Sequence, residues 1–255
     1  MLKRAENKDI AEILENIGCG AFSARISSNL SAYKTDYPFC EFWFQQNDEK
    51  EYTAFLSKKD GVCTLTMKEN ADIEEMKSML FFADCKYIEA EKSVFEMLDV
   101  KPDKTRDILT FDGETELINE GCAIDAFNLK EVFSLLKENE GESIAHMEYL
   151  PWLSDFTFKR NRKAARIKAL VKDNELVSFA MTSAETEKEA VISGVVTKNG
   201  FRKKGFASKV LSELIGDLKK EGKTIYVLTA QKEINSFYEK SGFRKTGEWA
   251  RYRSR

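Results

Sequence analysis

The chain of 255 residues is poor in the residue types that build metal centres and cross-linked frameworks. Its single histidine, His146, argues against a histidine-rich metal site. The cysteines are Cys19, Cys40, Cys63, Cys85 and Cys122. Because they are scattered and none belongs to a Cys-x-x-Cys pair, they indicate neither a zinc site nor a disulfide framework. We therefore expect no metal and a reducing, cytoplasmic setting.

Long apolar runs and a one-sided charge are missing as well. No apolar stretch approaches the ~20 residues needed to span a bilayer. Residues 1–14 lack the apolar core of a signal peptide. A net charge of −3 does not favour a general nucleic-acid binder. We therefore expect neither a membrane nor a nucleic acid as partner.

The charge that is present is divided unevenly along the chain. Residues 1–112 contain 15 Lys and Arg against 22 Asp and Glu, whereas the remainder has a basic excess. The polar, glycine-containing stretch DGETELINEG follows this first part. We therefore predict a first domain over residues 1–111, a linker over 112–120 and a second domain over 121–255.

Hydrophobic periodicity predicts a mixed α/β fold in which the two halves echo each other. Each half is predicted to have a helix, an aromatic-rich segment and a strand hairpin across a polar turn. The hairpins are predicted at 52–57 with 62–67 and at 165–172 with 176–184. The pattern favours a duplicated fold, in which the first copy has no glycine-containing basic loop before its helix at 72–80.

That loop is the central feature of the second half. An apolar strand at residues 191–197 leads into a polar turn and the basic run Arg202-Lys203-Lys204-Gly205, and a helix begins at Phe206. A helix N-terminus offers free N–H groups and the positive end of a dipole to an anion. Gly205 would let the backbone approach a phosphate closely. The stretch therefore predicts an anion site.

Two motifs identify the anion. Arg202-x-x-Gly205-x-Ala207 resembles the acyl-CoA pyrophosphate loop of the GNAT superfamily of N-acetyltransferases, whose pattern is Q/R-x-x-G-x-G/A. Downstream, the segment Phe237–Phe243 (FYEKSGF) resembles the YEKxGF segment of the same family. The resemblance covers roughly residues 121–255, and residues 1–111 look like a degenerate copy. It implies a mixed, mostly antiparallel sheet that is splayed between two central strands.

The resemblance also implies which residues bind acetyl-CoA as co-substrate. Backbone groups of Val195, Val196 and Thr197 would pair with the pantetheine amides, and the loop would hold the pyrophosphate. The implied loop residues are Arg202, Lys203, Lys204, Gly205, Phe206, Ala207 and Ser208. The family often has an asparagine seven residues before its tyrosine, but Gln231 stands there in this chain. Asn235, in another register, is the remaining candidate for a CoA contact.

The implied reaction is direct transfer of an acetyl group to an amine. Tyr238 is the expected acid for the leaving thiolate, although it could instead be a core aromatic. The base is open: Glu185, Glu187 and Glu189 precede the central strand and are expected to be solvated loop charges, with Glu189 as the candidate. An ordered water chain, or deprotonation of the amine before binding, would serve as well.

Several alternatives stay open at this level. Trp152 and Phe156 either line the acceptor pocket or pack in the core, and the basic run 159–168 is expected to be a solvated face rather than a nucleic-acid patch. The acceptor is a small-molecule or peptide amine. The first domain would wall the acceptor site or form the surface of a homodimer. Rival functions are an acyl-CoA-binding module without turnover and an aminoacyl or peptidyl transferase with tandem domains.

Overall fold

The computed structural model describes residues 1–113, 123–124, 127–139, 147–229 and 231–254. The chain divides into two units, and each unit contains separate pieces of the chain. The first consists of Met1–Leu109, Leu228–Ile234 and Lys245–Arg255, and the second of Thr110–Val227 and Asn235–Arg244. Most of the predicted linker 112–120, together with Cys122 and His146, lies outside the described residues.

The first unit is a mixed sheet with helices. Its helices are α1 (Ile10–Asn16), α2 (Ala21–Tyr33), α3 (Ile73–Phe82) and α4 (Lys92–Met97). Its strands are β1 (Leu2–Arg4), β2 (Cys40–Gln46), β3 (Tyr52–Lys59), β4 (Val62–Met67), β5 (Tyr87–Glu91), most of β6 (Lys104–Phe111) and most of β12 (Phe243–Arg253). The strand order is β1-β2-β3-β4-β5-β12-β6. Neighbours from β1 to β4 are antiparallel, as are β5 and β12, whereas β4 and β5 are parallel.

The second unit repeats this plan. Its helices are α5 (Leu129–Asn139), α6 (Tyr149–Asn161), α7 (Phe206–Lys220) and α8 (Asn235–Lys240). Its strands are β7 (Ala123–Ile124), β8 (Ile167–Lys172), β9 (Glu175–Glu185), β10 (Glu189–Thr197) and β11 (Thr224–Leu228), which lie in the order β11-β10-β9-β8-β7. The strands β7 to β10 are antiparallel, and β10 and β11 are parallel. The predicted mixed, mostly antiparallel fold is confirmed.

Each unit joins its parallel strands through a helix, β4–α3–β5 in the first and β10–α7–β11 in the second. The helix α7 forms because its apolar residues recur at helical spacing, so that Val210, Leu211 and Leu214 are fully buried on one stripe. It begins after Gly205 and packs across β9, β8 and β10. The N-terminal end of α7 is thereby fixed at the end of β10.

A disulfide joins Cys63 on β4 to Cys85 in the segment after α3, with 5.9 Å between their Cα atoms. Both cysteines are buried in the core of the first unit. The expectation that the cysteines form no disulfide framework is therefore wrong for this pair.

In the described part of the chain, no helix combines the length and the apolarity needed to cross a membrane.

An ion network around the buried Glu185 joins the start of β8, the end of β9 and the exposed C-terminal end of α7. Arg166 donates two hydrogen bonds to each of two carboxylates, Glu185 at 2.6 and 2.8 Å and Glu221 at 2.6 and 2.7 Å. Lys223 contacts the same carboxylates at 2.9 and 3.0 Å. The sequence predicts a solvated face for residues 159–168, and this is wrong for Arg166 and also for Lys159, whose side chain is buried and donates to the Ser183 carbonyl at 3.3 Å.

This network makes stability depend on pH. Hydrogen bonds from Arg166 and then Lys223 lower the pKa of Glu221 to about 2 from 4.5. A lowered folded-state pKa contributes stability above about pH 4.5, and that contribution is lost as pH falls toward about 2. We expect Glu221→Gln to lower the urea midpoint at pH 6 but to differ little from the parent at pH 2.5. The exposed Glu187→Gln is the control. A Glu221→Gln deficit that is equal at both pH values would contradict this.

Candidate functional site

The central strands of the second unit separate at a bulge in β10. Pairing between β10 and β11 runs from Glu189 with Thr224 to Ile192 with Val227. On its other side, β10 shifts register against β9 between Ser193 and Val196. Gly194 lies in this bulge with φ +59°, and the residues from Ser193 to Val195 are only half-buried. The strand end with Val195, Val196 and Thr197 therefore extends past the last pair with β11.

The loop after β10 presents backbone N–H groups to solvent. Gly205 adopts the left-handed conformation (φ +81°, ψ −2°) and α7 follows directly. The first helical hydrogen bond is donated by the N–H of Lys209 to the Gly205 carbonyl at 3.0 Å. The N–H groups of Phe206, Ala207 and Ser208 precede it and point out of the helix end. Left-handed and right-handed residues in succession make such N–H groups converge as an anion-binding nest.

The residues of this loop differ in what their side chains do. Arg202, Lys203, Lys204 and Gly205 are all exposed. A Cβ added to Gly205 would meet no atom within 4 Å, so the left-handed φ, and not packing, favours glycine at this position. Lys204 donates to the Gly200 carbonyl at 3.1 Å and lies over the Phe201 ring. Arg202 is turned toward β10 and donates to the Thr197 carbonyl at 3.2 Å.

The structure puts Tyr238 and Asn235 beyond the C-terminal end of β11, on the helix α8. Tyr238 has 6% of its surface exposed, and its ring packs against Phe237 at 5.1 Å and against Phe243 at 5.6 Å between centroids. Asn235 is the first residue of α8 and is half-buried. Since β10 and β11 are parallel, α8 follows the same end of the strand pair as the basic loop.

Glu189 lies at the other end of β10. The prediction of solvated loop charges is wrong for Glu185 and Glu189, which lie on strands with 2% and 5% of their surface exposed, and holds for the exposed Glu187. Glu189 accepts a hydrogen bond from the Tyr226 hydroxyl at 3.1 Å. At about 3.3 Å per residue, its backbone lies roughly 15–20 Å along β10 from the bulged residues. The two catalytic candidates, Tyr238 and Glu189, are thus at opposite ends of the strand pair.

Trp152 and Phe156 pack inside the second unit. Their rings are stacked at 5.5 Å with an interplanar angle of 2°, and they belong to the core cluster that includes Val132, Phe133 and Phe179. Only 7% and 3% of their surfaces are exposed. Of the two interpretations that the sequence leaves open, the structure supports core packing.

The corresponding helix end of the first unit is closed by side chains. Asp72 accepts the N–H of Glu75 at 3.0 Å at the start of α3. The buried Gln45 accepts the Asp72 N–H at 2.8 Å and donates to Glu75 at 2.8 Å. The Glu75 carboxylate also accepts the Leu2 N–H at 2.7 Å. Two carboxylates and an amide therefore occupy the position at which α7 offers open N–H groups, and their negative charge opposes an anion.

The first unit also contains a cleft of about 620 Å³. Its walls have charges of both signs, and these compensate one another: Lys8 pairs with Glu6 at 2.6 Å, and Arg4 pairs with Glu41 at 2.7 Å. Such a surface does not favour a polyphosphate. Within the described residues there is also no group of three or more His, Cys, Asp or Glu side chains arranged for a metal ion.

Comparison with known proteins identifies the second half. Residues 129–243 match the family model described as "Acetyltransferase (GNAT) family". Residues 129–243 form a GNAT domain. Curated proteins give no significant match to the chain. Family and fold together support acyl transfer as the general chemistry of the GNAT domain.

Solved structures extend the likeness over the whole chain. A tandem GNAT protein from the clavulanic acid biosynthesis pathway is 10% identical, with a TM-score of 0.66, over 98% of this chain and 97% of its own. A GCN5-related N-acetyltransferase from Sphaerobacter thermophilus is 12% identical, with a TM-score of 0.64, over 100% and 95%. A GNAT-family acetyltransferase from Colwellia psychrerythraea is 12% identical, with a TM-score of 0.58, over 100% of both chains. At these identities the likeness shows the fold alone, a GNAT fold, and it extends over both units.

Sequence reasoning missed three residues around the loop of the GNAT domain. Gly194 shapes the bulge. The sequence signal that could have predicted the bulge is a glycine within an apolar strand. Ser178 and Asn139 hydrogen-bond the residues that end β10 and begin the loop. Neither belongs to a recognisable motif, because both reach the site from elements that are distant in sequence.

The conformation of Gly194 in the bulge leads to a testable prediction. A Cβ there would lie 3.2 Å from both Leu136 Cδ1 and Met181 Cγ, in a left-handed conformation. We expect Gly194→Ala to lower the free energy of unfolding by about 1–2 kcal/mol, because an L side chain is strained at that φ. Gly200→Ala is the matched control, since Gly200 lies in open space without a left-handed φ. Equal urea unfolding curves for the two variants would refute this reason for the glycine.

Proposed function

We propose that the chain transfers an acetyl group from acetyl-CoA to a primary amine by direct attack of the amine on the thioester. The observation that supports it most is the open backbone nest from Gly205 to Ser208. The nest follows the end of β10, which is unpaired on the side of β11. A nest at a helix N-terminus suits a pyrophosphate. An unpaired strand edge suits an extended, amide-containing arm.

The same geometry suggests how the donor would be bound. Backbone N–H groups of residues 203–208 would hold the pyrophosphate, and Lys203 and Lys204 would add positive charge. Val195, Val196 and Thr197 would pair with the pantetheine amides through their backbone. Asn235, at the start of α8, would contact the CoA from the same end of the strand pair.

Two tasks remain at the reacting atoms. A backbone N–H of β10 near Val196 would donate to the oxygen of the thioester carbonyl, where negative charge develops as the amine attacks. When the C–S bond breaks, the thiolate takes a proton, and Tyr238 is our candidate donor. A phenol with an ordinary pKa near ~10 suits a leaving thiolate.

For the amine proton we favour water, or deprotonation before binding, over Glu189. The carboxylate of Glu189 is buried with the Tyr226 hydroxyl at the far end of β10, and a base must come within hydrogen-bond reach of the proton that it removes. Glu189 stays the alternative general base, and a change in the pH–rate profile of the Glu189→Gln variant would support that role.

The proposal also assigns a role to each half of the chain. We assign the activity to the segment 121–255 and a supporting part to 1–111, which would wall the acceptor site or form a homodimer surface. An acidic first half favours a cationic acceptor, either a small-molecule or a peptide amine, with a cytoplasmic location. We propose no membrane, nucleic-acid or metal partner.

A turnover screen tests the proposal. Purified protein would be incubated with acetyl-CoA and one representative of each amine class, and release of free thiol would be followed. We expect thiol release with at least one amine and not without amine. Tight CoA binding with no turnover would instead favour a non-catalytic binding module, a reading that the burial of Tyr238 between two phenyl rings also favours.

Tyr238→Phe separates the two functions. The substitution removes one hydroxyl and keeps the ring that packs on Phe237 and Phe243. If Tyr238 is the acid, kcat should fall by about 100-fold or more while the Kd for CoA is unchanged. Phe237→Leu controls for ring packing on the same helix. Unchanged kcat in Tyr238→Phe would remove the residue from the mechanism.

Binding stoichiometry tests the difference between the units. Because Asp72, Glu75 and Gln45 close the start of α3, we expect one CoA per chain in isothermal titration. Lys203→Gln together with Lys204→Gln should weaken this single binding event. A second binding event that survives those substitutions would contradict the expectation that the first unit binds no CoA.

A further inference from the structure

Within the described residues, the side chain of Arg202 makes two hydrogen bonds, one to the end of β10 and one to the end of α5. Its Nε donates to the Thr197 carbonyl at 3.2 Å, and a terminal nitrogen is hydrogen-bonded to Asn139 Oδ1. Asn139 is the last residue of α5, where its own Nδ2 donates to the Leu135 carbonyl at 2.6 Å. The guanidinium therefore bridges the end of β10 to the end of α5.

A second side chain holds the same strand end from β9. The fully buried Ser178 donates from its hydroxyl to the Val196 carbonyl at 2.9 Å and shares a 2.8 Å hydrogen bond with the Thr197 hydroxyl. Because the Ser178 proton points to the carbonyl, the Thr197 hydroxyl is the donor of the shared bond. Two successive carbonyls, of Val196 and Thr197, thus each accept from a fixed side chain.

These bonds restrain the peptide planes that follow the bulge. The backbone of Val195 to Thr197 lies beyond the last pair with β11, so ordinary sheet bonds on that side do not orient it. Pairing with β9 holds the strand end on its other side, and the side-chain bonds add to that restraint. A binding edge works best when its groups are held in place beforehand.

We infer that Arg202, anchored by Asn139, is a positioning residue for the pantetheine-binding edge of β10 and not a ligand of the pyrophosphate. The inference rests on the proposed function. It departs from the role that the loop motif suggests for Arg202, and it assigns Asn139 to the site. Its Nε and one terminal nitrogen are already engaged with Thr197 and Asn139.

Another cation on the loop is available for the phosphates. Lys203 is exposed, with φ +59°, and within the described part of the chain its ammonium has no ion pair or side-chain hydrogen bond. Lysine acts on phosphate as a point charge without a required geometry. The groups of the loop therefore have different roles: backbone N–H groups and Lys203 bind the phosphates, and Arg202 positions the strand end.

A truncated donor distinguishes a phosphate ligand from a positioning residue. Pantetheine has the two amides and the thiol of CoA but lacks the nucleotide and every phosphate. The Kd of CoA and of pantetheine would be measured by NMR amide titration, which reaches millimolar values, for the parent and for Arg202→Gln, Asn139→Ala and Lys203→Gln. Thermal unfolding of each variant would verify that it is folded.

We expect Arg202→Gln and Asn139→Ala to weaken both ligands by a similar factor of about three to ten, the loss of one hydrogen bond. Lys203→Gln should weaken CoA alone. Asn139→Asp, which keeps the oxygen that Arg202 contacts, should restore pantetheine binding, a rescue that loss of general packing would not give.

The outcomes are distinct. If Arg202→Gln weakens CoA but leaves pantetheine unchanged, Arg202 is a phosphate ligand and the inference is overturned. If Asn139→Ala changes neither Kd, the anchoring role is overturned. If the parent protein binds neither ligand, the proposed function itself fails, and the inference fails with it.

Discussion

The second unit depends on one backbone constraint, the left-handed residue at Gly194. A Cβ at this position would lie 3.2 Å from atoms of Leu136 on α5 and Met181 on β9, so the bulged path of the strand favours a residue without a side chain there. The bulge shifts the register against β9, while pairing with β11 stops at Ile192. The strand end beyond it is therefore unpaired on the side of β11, and it leads into the basic loop.

The two units show how a small difference at a helix start changes what that helix can bind. Both join parallel strands through a helix whose N-terminus lies after the first strand. In the second unit, Gly205 begins α7 without a side chain and leaves three N–H groups open. In the first, Asp72 caps α3, and Gln45 and Glu75 complete a saturated network. Capping stabilises the first helix and removes the anion site.

Local patterns in the sequence predict most of the elements, because helix and strand periodicity and turn residues act over short distances. The strand β4 begins and ends at the predicted residues. Burial of the charged residues could not be predicted in the same way. Glu185 is buried because Arg166 and Lys223 neutralise it, and these partners come from β8 and from the end of α7. The Cys63–Cys85 pair likewise joins residues that share no motif.

The same reasoning explains why the sequence predicts the geometry of the loop after β10 but not the placement of the catalytic candidates. A nest of N–H groups needs only a glycine at the right φ and a helix after it, and both leave a short signature from Arg202 to Ala207. A base or an acceptor contact needs a particular side chain at a particular point in space. Glu189 is an example, because it is near the loop in sequence but lies at the other end of β10. Closeness to a motif in the sequence therefore does not show that a side chain lies at the site.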